Sequence, residues 1–242
     1  MRRLFCISAL LLLAGCAQPN AGYTVTIQET GTAHAQELRD AAVRVVERRA
    51  ERLGQKLRAK SLAITGNDAV LRFALQNTAV SEVLTEELTA PFSFRVMVEA
   101  PREEADLWHE KSGSGFKETG VTEQHVSWVT ATTTQDRTQG TALILLTPEG
   151  QTLLAQAFEK NQGKQMAIFV RGVLMSRKRI GQEDRKRSIQ IDNIPNPQMA
   201  SIFADDVHVG LHVAFRPLTS APPASREHRK AGHLQPVLWA VG

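Results

Sequence analysis

"LLTPEGQTLLAQAFEKNQGKQMAIFVRGVL" fills residues 145–174 and reads as a strand end, a helix and a hairpin in direct succession. Thr147-Pro148-Glu149 start the helix. Thr147 is a good N-cap, proline suits the first helical position, and Glu149 sits favourably on the N-terminal dipole. Leu153, Leu154, Ala157 and Phe158 recur at helical spacing and give this helix one apolar face, and Gly163 stops it. Residues 166–170 and 173–180 are strand-like and flank Arg171-Gly172, a two-residue turn candidate.

Working outward from this unit, residues 125–134 (HVSWVTATTT) are β-branched and strand-like, 136–140 turn the chain, and 141–146 return it. Beyond the hairpin, 188–191 suggest another strand. Residues 196–205 suggest a short helix after Pro195 and Pro197. Residues 208–215 (HVGLHVAF) alternate, with Val209, Leu211, Val213 and Phe215 on one face of a last strand.

Towards the N-terminus, 23–28 alternate as a strand. Residues 35–53 carry Leu38, Ala42, Val45, Val46 and Leu53 at helical spacing before Gly54. Two strands, 60–65 and 69–75, join across Gly66-Asn67-Asp68, a helix over 80–88 stops at Pro91, and 92–99 (FSFRVMVE) alternate again. The order β-α-β-β-α-β is the ferredoxin-like split pattern. The expectation is therefore an α+β fold: a ferredoxin-like β-α-β-β-α-β base subdomain over 23–100 and a mixed α/β head subdomain over 125–217. A glycine-rich linker over 101–124 joins them, and a disordered, Pro- and Ser-rich tail over 218–242 follows.

The first residues set the compartment. Arg2 and Arg3 precede a short apolar run, then Leu13-Ala14-Gly15-Cys16. This has the form of a secretory signal over 1–15, and the small residues before the cysteine resemble the lipobox of bacterial lipoproteins. Cleavage after Gly15 leaves Cys16 as the acylated, palmitate-bearing first residue of a membrane-anchored chain with a tether over 16–22. The other cysteine, Cys6, lies inside the signal, so the mature chain has no thiolate metal site and no disulfide. No later run approaches the ~18 apolar residues that read as a spanning helix. Without Arg2 and Arg3 the chain has 27 basic and 25 acidic side chains, a balance that does not favour nucleic acid as a partner.

The stretch 142–176 resembles the head of the first periplasmic domain of SecD and SecDF, accessory subunits of the bacterial protein-export translocase. That family shows an apolar strand, Leu-Thr-x-Glu-Gly, a helix, Asn-x-Gly-Lys and Leu-Ala-Ile. Here Leu146-Thr147-Pro148-Glu149-Gly150, Asn161-Gln162-Gly163-Lys164 and Met166-Ala167-Ile168 stand in that order. Upstream, 45–54 (VVERRAERLG), followed by AVLRFAL and FSFRV, is similar to the base of the same domain. The likeness covers roughly 23–216 and is specific from 142 to 176. It departs after Ser176, where Arg177-Lys178-Arg179 replace the usual Ser-Ala-Pro, and at Gln76-Asn77, where the family has Pro-Gly. The sequence also lacks the family's transmembrane helices, which carry its proton coupling.

The resemblance implies contact with emerging polypeptide at the hairpin, through Ile168, Phe169, Val170, Val173 and Met175, because main-chain pairing at a strand edge tolerates many sequences. A basic patch accompanies it: Arg171, Arg177, Lys178, Arg179, Arg185, Lys186 and Arg187, seven cations against Glu183 and Asp184. It suits anionic headgroups or an acidic partner, or a solvated flank. No catalytic residue, metal ligand set or cofactor motif stands out. His208 and His212 share a strand face incidentally, Asp205-Asp206 end a helix, no serine sits in a nucleophile elbow, and Trp108, Trp128 and Trp239 read as core or tail. The expected role is a non-enzymatic periplasmic lipoprotein, on the outer membrane by the Ala17 that follows Cys16, with unfolded exported polypeptides or the Sec translocase as partners. A structural envelope scaffold that keeps the fold is the alternative, and a hydrolase with an unrecognised site is a third.

Overall fold

The computed structural model describes residues 18–28, 33–181 and 188–218. The expected signal, Gly15 and Cys16 lie outside the described residues, as do Arg185, Lys186, Arg187, Trp239 and nearly all of the expected tail. The fold is α+β, with four helices and twelve strands among these residues.

A four-stranded sheet forms the base. Its strands β1 (Ala21–Ile27), β2 (Arg58–Thr65), β3 (Asp68–Ala74) and β12 (Val213–Pro217) lie in the order β12-β1-β3-β2, every neighbour antiparallel. Strands β1 and β2 are therefore parallel to each other and need a crossover, which α1 (Ala35–Arg52) supplies. Its apolar stripe of Leu38, Ala42, Val45 and Val46 has no solvent exposure and packs with Tyr23, Val25, Leu71 and Phe73. Helix α2 (Val80–Thr89) adds Leu84 and Leu88 to the same core.

The β-α-β-β-α-β pattern is present but is completed differently from the sequence expectation. The strand expected at 92–99 to close the base is β4 (Phe94–Ala100), and it pairs elsewhere. The closing strand is β12, reached through α4 (Pro197–His212). Everything between α2 and α4 is thus inserted into the base. Both segments alternate, so the local pattern could not say which of them fills the edge beside β1.

The insertion builds two further sheets. In the first the order is β10-β9-β4-β6-β5, with β5 (Leu107–His109), β6 (Ser114–Thr122), β9 (Gln165–Val170) and β10 (Val173–Arg179). The second has β11 (Ser188–Ile194), β8 (Gly140–Leu146) and β7 (Val126–Thr133), in the order β11-β8-β7. The expected linker over 101–124 is therefore corrected, because half of it is β5 and β6, and β6 pairs with both β4 and β5. Its glycines disguise it. A side chain on Gly115 would lie 2.7 Å from the Ala100 carbonyl, so only glycine lets the strands approach there. Helix α3 (Pro148–Lys160) buries Leu154 and Phe158 in the core shared by the two sheets. Thr147 caps it as expected, its hydroxyl accepting from the Gly150 amide at 3.2 Å.

Helix α4 corrects two expectations, the short helix at 196–205 and the strand at 208–215. Asn196 caps it by accepting from the Gln198 amide at 2.7 Å, Pro197 opens it, and it runs unbroken to His212. It lies between the two cores. Phe203, Ala204, Val207 and Leu211 pack into the inserted unit, while Val209 packs into the base. Asp205 turns to α1, where it accepts from Arg44 at 2.7 and 2.9 Å and from Arg48 at 2.9 Å. A helix covered on so many sides loses the single apolar stripe that marks a surface helix, and its last turn then mimics strand alternation.

Candidate functional site

The hairpin β9–β10 turns at Arg171-Gly172, both with positive φ (50° and 76°), as a type I′ turn requires. Its two strands have different fates. Strand β9 is interior, between β10 and β4, and Ile168, Phe169 and Val170 are 1%, 2% and 8% exposed. The sequence-based assignment of these three to a binding surface is therefore corrected, because they are core. Strand β10 is the sheet edge, and Val173 and Met175 are 61% and 46% exposed. The basic patch also divides. Arg171 is half-buried over the Phe92 ring, 5.6 Å from its centroid, with its amide donating to the Ser93 carbonyl. Arg177, Lys178 and Arg179 are exposed on β10.

Strand β11 closes the three-stranded sheet and faces β10 across a cleft. At one end Met175 and Ser176 of β10 stand opposite residues 191–194, over a cavity of about 210 Å³ lined also by Met199 and Phe203. At the other end Lys178 and Arg179 stand opposite Ser188, Ile189 and Gln190, with Phe158, Met166 and Ile180 beneath and an open volume of about 70 Å³. The floor is apolar and buried: Ile191, Phe203, Phe158, Met166, Ile180 and Ile189 are each less than one-tenth exposed. Met199, at 52% exposed, and Met175 form the rim of the larger cavity. Flexible, polarizable methionines adapt to many apolar partners.

Local bonds fix each edge within its own sheet. The Ile180 amide donates to the Lys164 carbonyl at 2.9 Å, and the Gly163 amide donates to the Ile180 carbonyl at 3.0 Å. These tie the end of β10 to the turn after α3, while β11 is zipped onto β8. Each edge carries an irregularity at the methionine end. A bulge falls between Leu174 and Ser176, and a second, around Asn193 at φ 56°, falls between Ile191 and Ile194. Bulges at sheet edges discourage uncontrolled pairing. Sequence reasoning found β10 but missed Ile191, Ile194, Met199 and Phe203, because nothing local in 188–203 reveals that it meets residue 175.

A second cluster lies where α4 meets β7. Trp128 is sandwiched between His34 and His208, with ring centroids 4.0 and 3.9 Å away, and His212 is 5.7 Å away. His208 and His212 are thus one turn apart on a helix, not on a strand as expected. The His208 Nε2 accepts the Val129 amide at 3.1 Å, which fixes that nitrogen as unprotonated. Burial, with His212 nearby, lowers its pKa to about 4. Arg49, 5% exposed, donates to the Glu87 carbonyl in the last turn of α2, and burial beside Arg171 lowers it to about 10. For Asp205, burial acts upward but the Arg44 and Arg48 hydrogen bonds outweigh it and hold the carboxyl below its ordinary value. These are structural ties between elements. Among the described residues no group of His, Cys, Asp and Glu is placed to hold a metal, and no helix is long and apolar enough to cross a membrane.

No family model matches the chain, and no curated protein does. Solved structures similar in shape include three of SecDF. The crystal structure of SecDF in its super-membrane-facing form shares 15% identity at a TM-score of 0.43, covering 81% of this chain and 29% of that one. A structure of the membrane component SecDF that enhances protein export shares 15% identity at 0.43, covering 83% of this chain and all of that one. The crystal structure of SecDF, a translocon-associated membrane protein from Thermus thermophilus, shares 15% identity at 0.48, covering 84% of this chain and 30% of that one. The chain spans about three-tenths of the first and third of these chains.

Proposed function

We propose that this chain is a non-catalytic, lipid-anchored module of the bacterial envelope that binds extended polypeptides in support of protein export or of the chaperoning of translocated chains. The observation that carries this reading is the cleft between two unpaired sheet edges, with an apolar floor and exposed Val173, Met175 and Met199 beside it. Strand edges offer main-chain hydrogen bonds to any sequence, and the apolar floor rewards hydrophobic segments, the two features that a sequence-tolerant polypeptide binder needs. The likeness of 142–176 to the SecD head supports the export setting, and Leu13-Ala14-Gly15-Cys16 supports acylation at Cys16.

In-cell photocrosslinking tests it. A photoreactive residue is placed in turn at Val173, Met175 and Met199, with Ile64 as control. Ile64 is equally exposed at 51% but lies on β2, the edge of the base. The expected result is a ladder of many secreted proteins, or a translocase subunit, at the three cleft positions and little at Ile64. One abundant envelope protein at every position indicates the scaffold role instead. No adduct at the three positions removes the cleft as a binding site.

A further inference from the structure

We propose that the cleft takes its polypeptide as an inserted strand, paired on both sides, and not as an addition to one edge. The inference rests on the polypeptide-binding reading above. Strands β10 and β11 each end a sheet among the described residues, and residues of both line the cavities at the two ends of the cleft. The end of β10 lies opposite the start of β11, and residue 175 lies opposite the end of β11, so the two edges run antiparallel. One strand between them joins the five-stranded and three-stranded sheets into a continuous surface. It runs parallel to one edge and antiparallel to the other, which distinguishes it from ordinary edge addition.

The same geometry defines the occupant's chemistry. Strand side chains alternate between faces, so every second residue of the insert meets the floor of Phe158, Met166, Ile189, Ile191 and Phe203 and must be apolar. The bulges at Met175 and Asn193 interrupt pairing at one end, where the cavity of about 210 Å³ lies. A dry cavity of about 150 Å³ holds a benzene ring, so this one seats a single large apolar anchor such as phenylalanine or leucine. Arg177 and Arg179 project from β10 without an ion-pair partner among the described residues. They favour an acidic residue flanking the apolar segment.

The probe is a synthetic peptide in which valine alternates with threonine, with one central phenylalanine and flanking glutamates. Amide hydrogen exchange of the full-length chain is followed with the peptide at saturation. Insertion predicts new protection at both Ser176–Arg177 and residues 188–191. Protection of β10 or of β11 alone, with binding retained, overturns insertion and leaves polypeptide binding standing. Absence of binding by both this peptide and a reduced, carboxymethylated unfolded protein overturns the underlying reading as well. Replacing the glutamates by lysines is expected to weaken binding roughly three- to five-fold, and equal binding removes the charge complementarity.

Discussion

Replacing Val207 by aspartate prevents the chain from folding, or lowers its stability by more than about 4 kcal/mol. Val207 has no solvent exposure and lies in the core shared by the inserted sheets. A carboxylate there is set in the apolar cluster of Phe203, Ala204 and the β7–β8 strands, so it either ionises in a low-dielectric core or stays protonated at a large cost. The effect spreads, because the same helix contributes Val209 to the base core and holds Arg44 and Arg48 through Asp205. Both cores are therefore expected to melt in one transition. Ser201→Asp is the matched control. It lies two turns earlier on the exposed face of α4 and is expected to change stability by less than about 0.5 kcal/mol. Urea denaturation followed by tryptophan fluorescence reads both. A loss below about 2 kcal/mol for Val207→Asp contradicts the placing of α4 between the cores.

The second large effect depends on pH. His208 has an ordinary value of 6.5 and is lowered to about 4 in the fold, chiefly by burial and then by the charge of His212. His34 acts in the same direction and Asp205 opposes it. The unfolded chain therefore binds a proton between about pH 6.5 and 4 that the folded chain refuses, and stability rises with pH across this window. Above pH 6.5 the full stability is present. It is lost as the pH falls to about 4, by roughly 3 kcal/mol in all. Protonation also removes the lone pair that accepts the Val129 amide, leaving a buried donor unsatisfied. Asp205 acts lower, its depressed carboxyl contributing stability that fades as the pH falls through and below its ordinary 3.8. Urea midpoints measured from pH 4 to 7 should slope steeply for the native chain. They should slope much less for His208→Gln, whose amide oxygen can accept the same hydrogen bond without titrating. Identical slopes would assign the pH dependence to other groups.

What could be read from the sequence divides along local and non-local lines. Helix α3 was legible because Thr147, Pro148 and Glu149 act within one turn of each other, and the hairpin because Arg171-Gly172 suits a two-residue turn between strands. Helix α1 was legible from its single stripe, buried on one side only. The pairing of β4 was not, since alternation over 92–99 states that one face is buried and says nothing about which sheet buries it. The last turn of α4 misled for a different reason. His208 packs on Trp128, Val209 on the base and Leu211 on the inserted unit, so successive residues are all partly covered and the helical period vanishes. The cleft was half visible. Val173 and Met175 were found on the hairpin, whereas Ile168, Phe169 and Val170 were assigned to it wrongly. A hairpin read alone does not reveal that one of its strands is enclosed by β4. Met199 and Phe203 belong to the site only because α4 passes beneath the edge of β11.

The measurement that tests the central claim most directly is the equilibrium affinity of the full-length chain for a reduced, carboxymethylated unfolded protein, before and after the double substitution Met175→Asp, Met199→Asp. Both residues are about half exposed at the rim of the larger cavity, so the variant keeps its cores, as an unchanged urea midpoint would confirm. Loss of two apolar contacts and the placing of two carboxylates on an apolar surface predict at least a ten-fold weaker complex, about 1.4 kcal/mol or more. A folded double variant that binds the unfolded protein as tightly as the native chain contradicts the account.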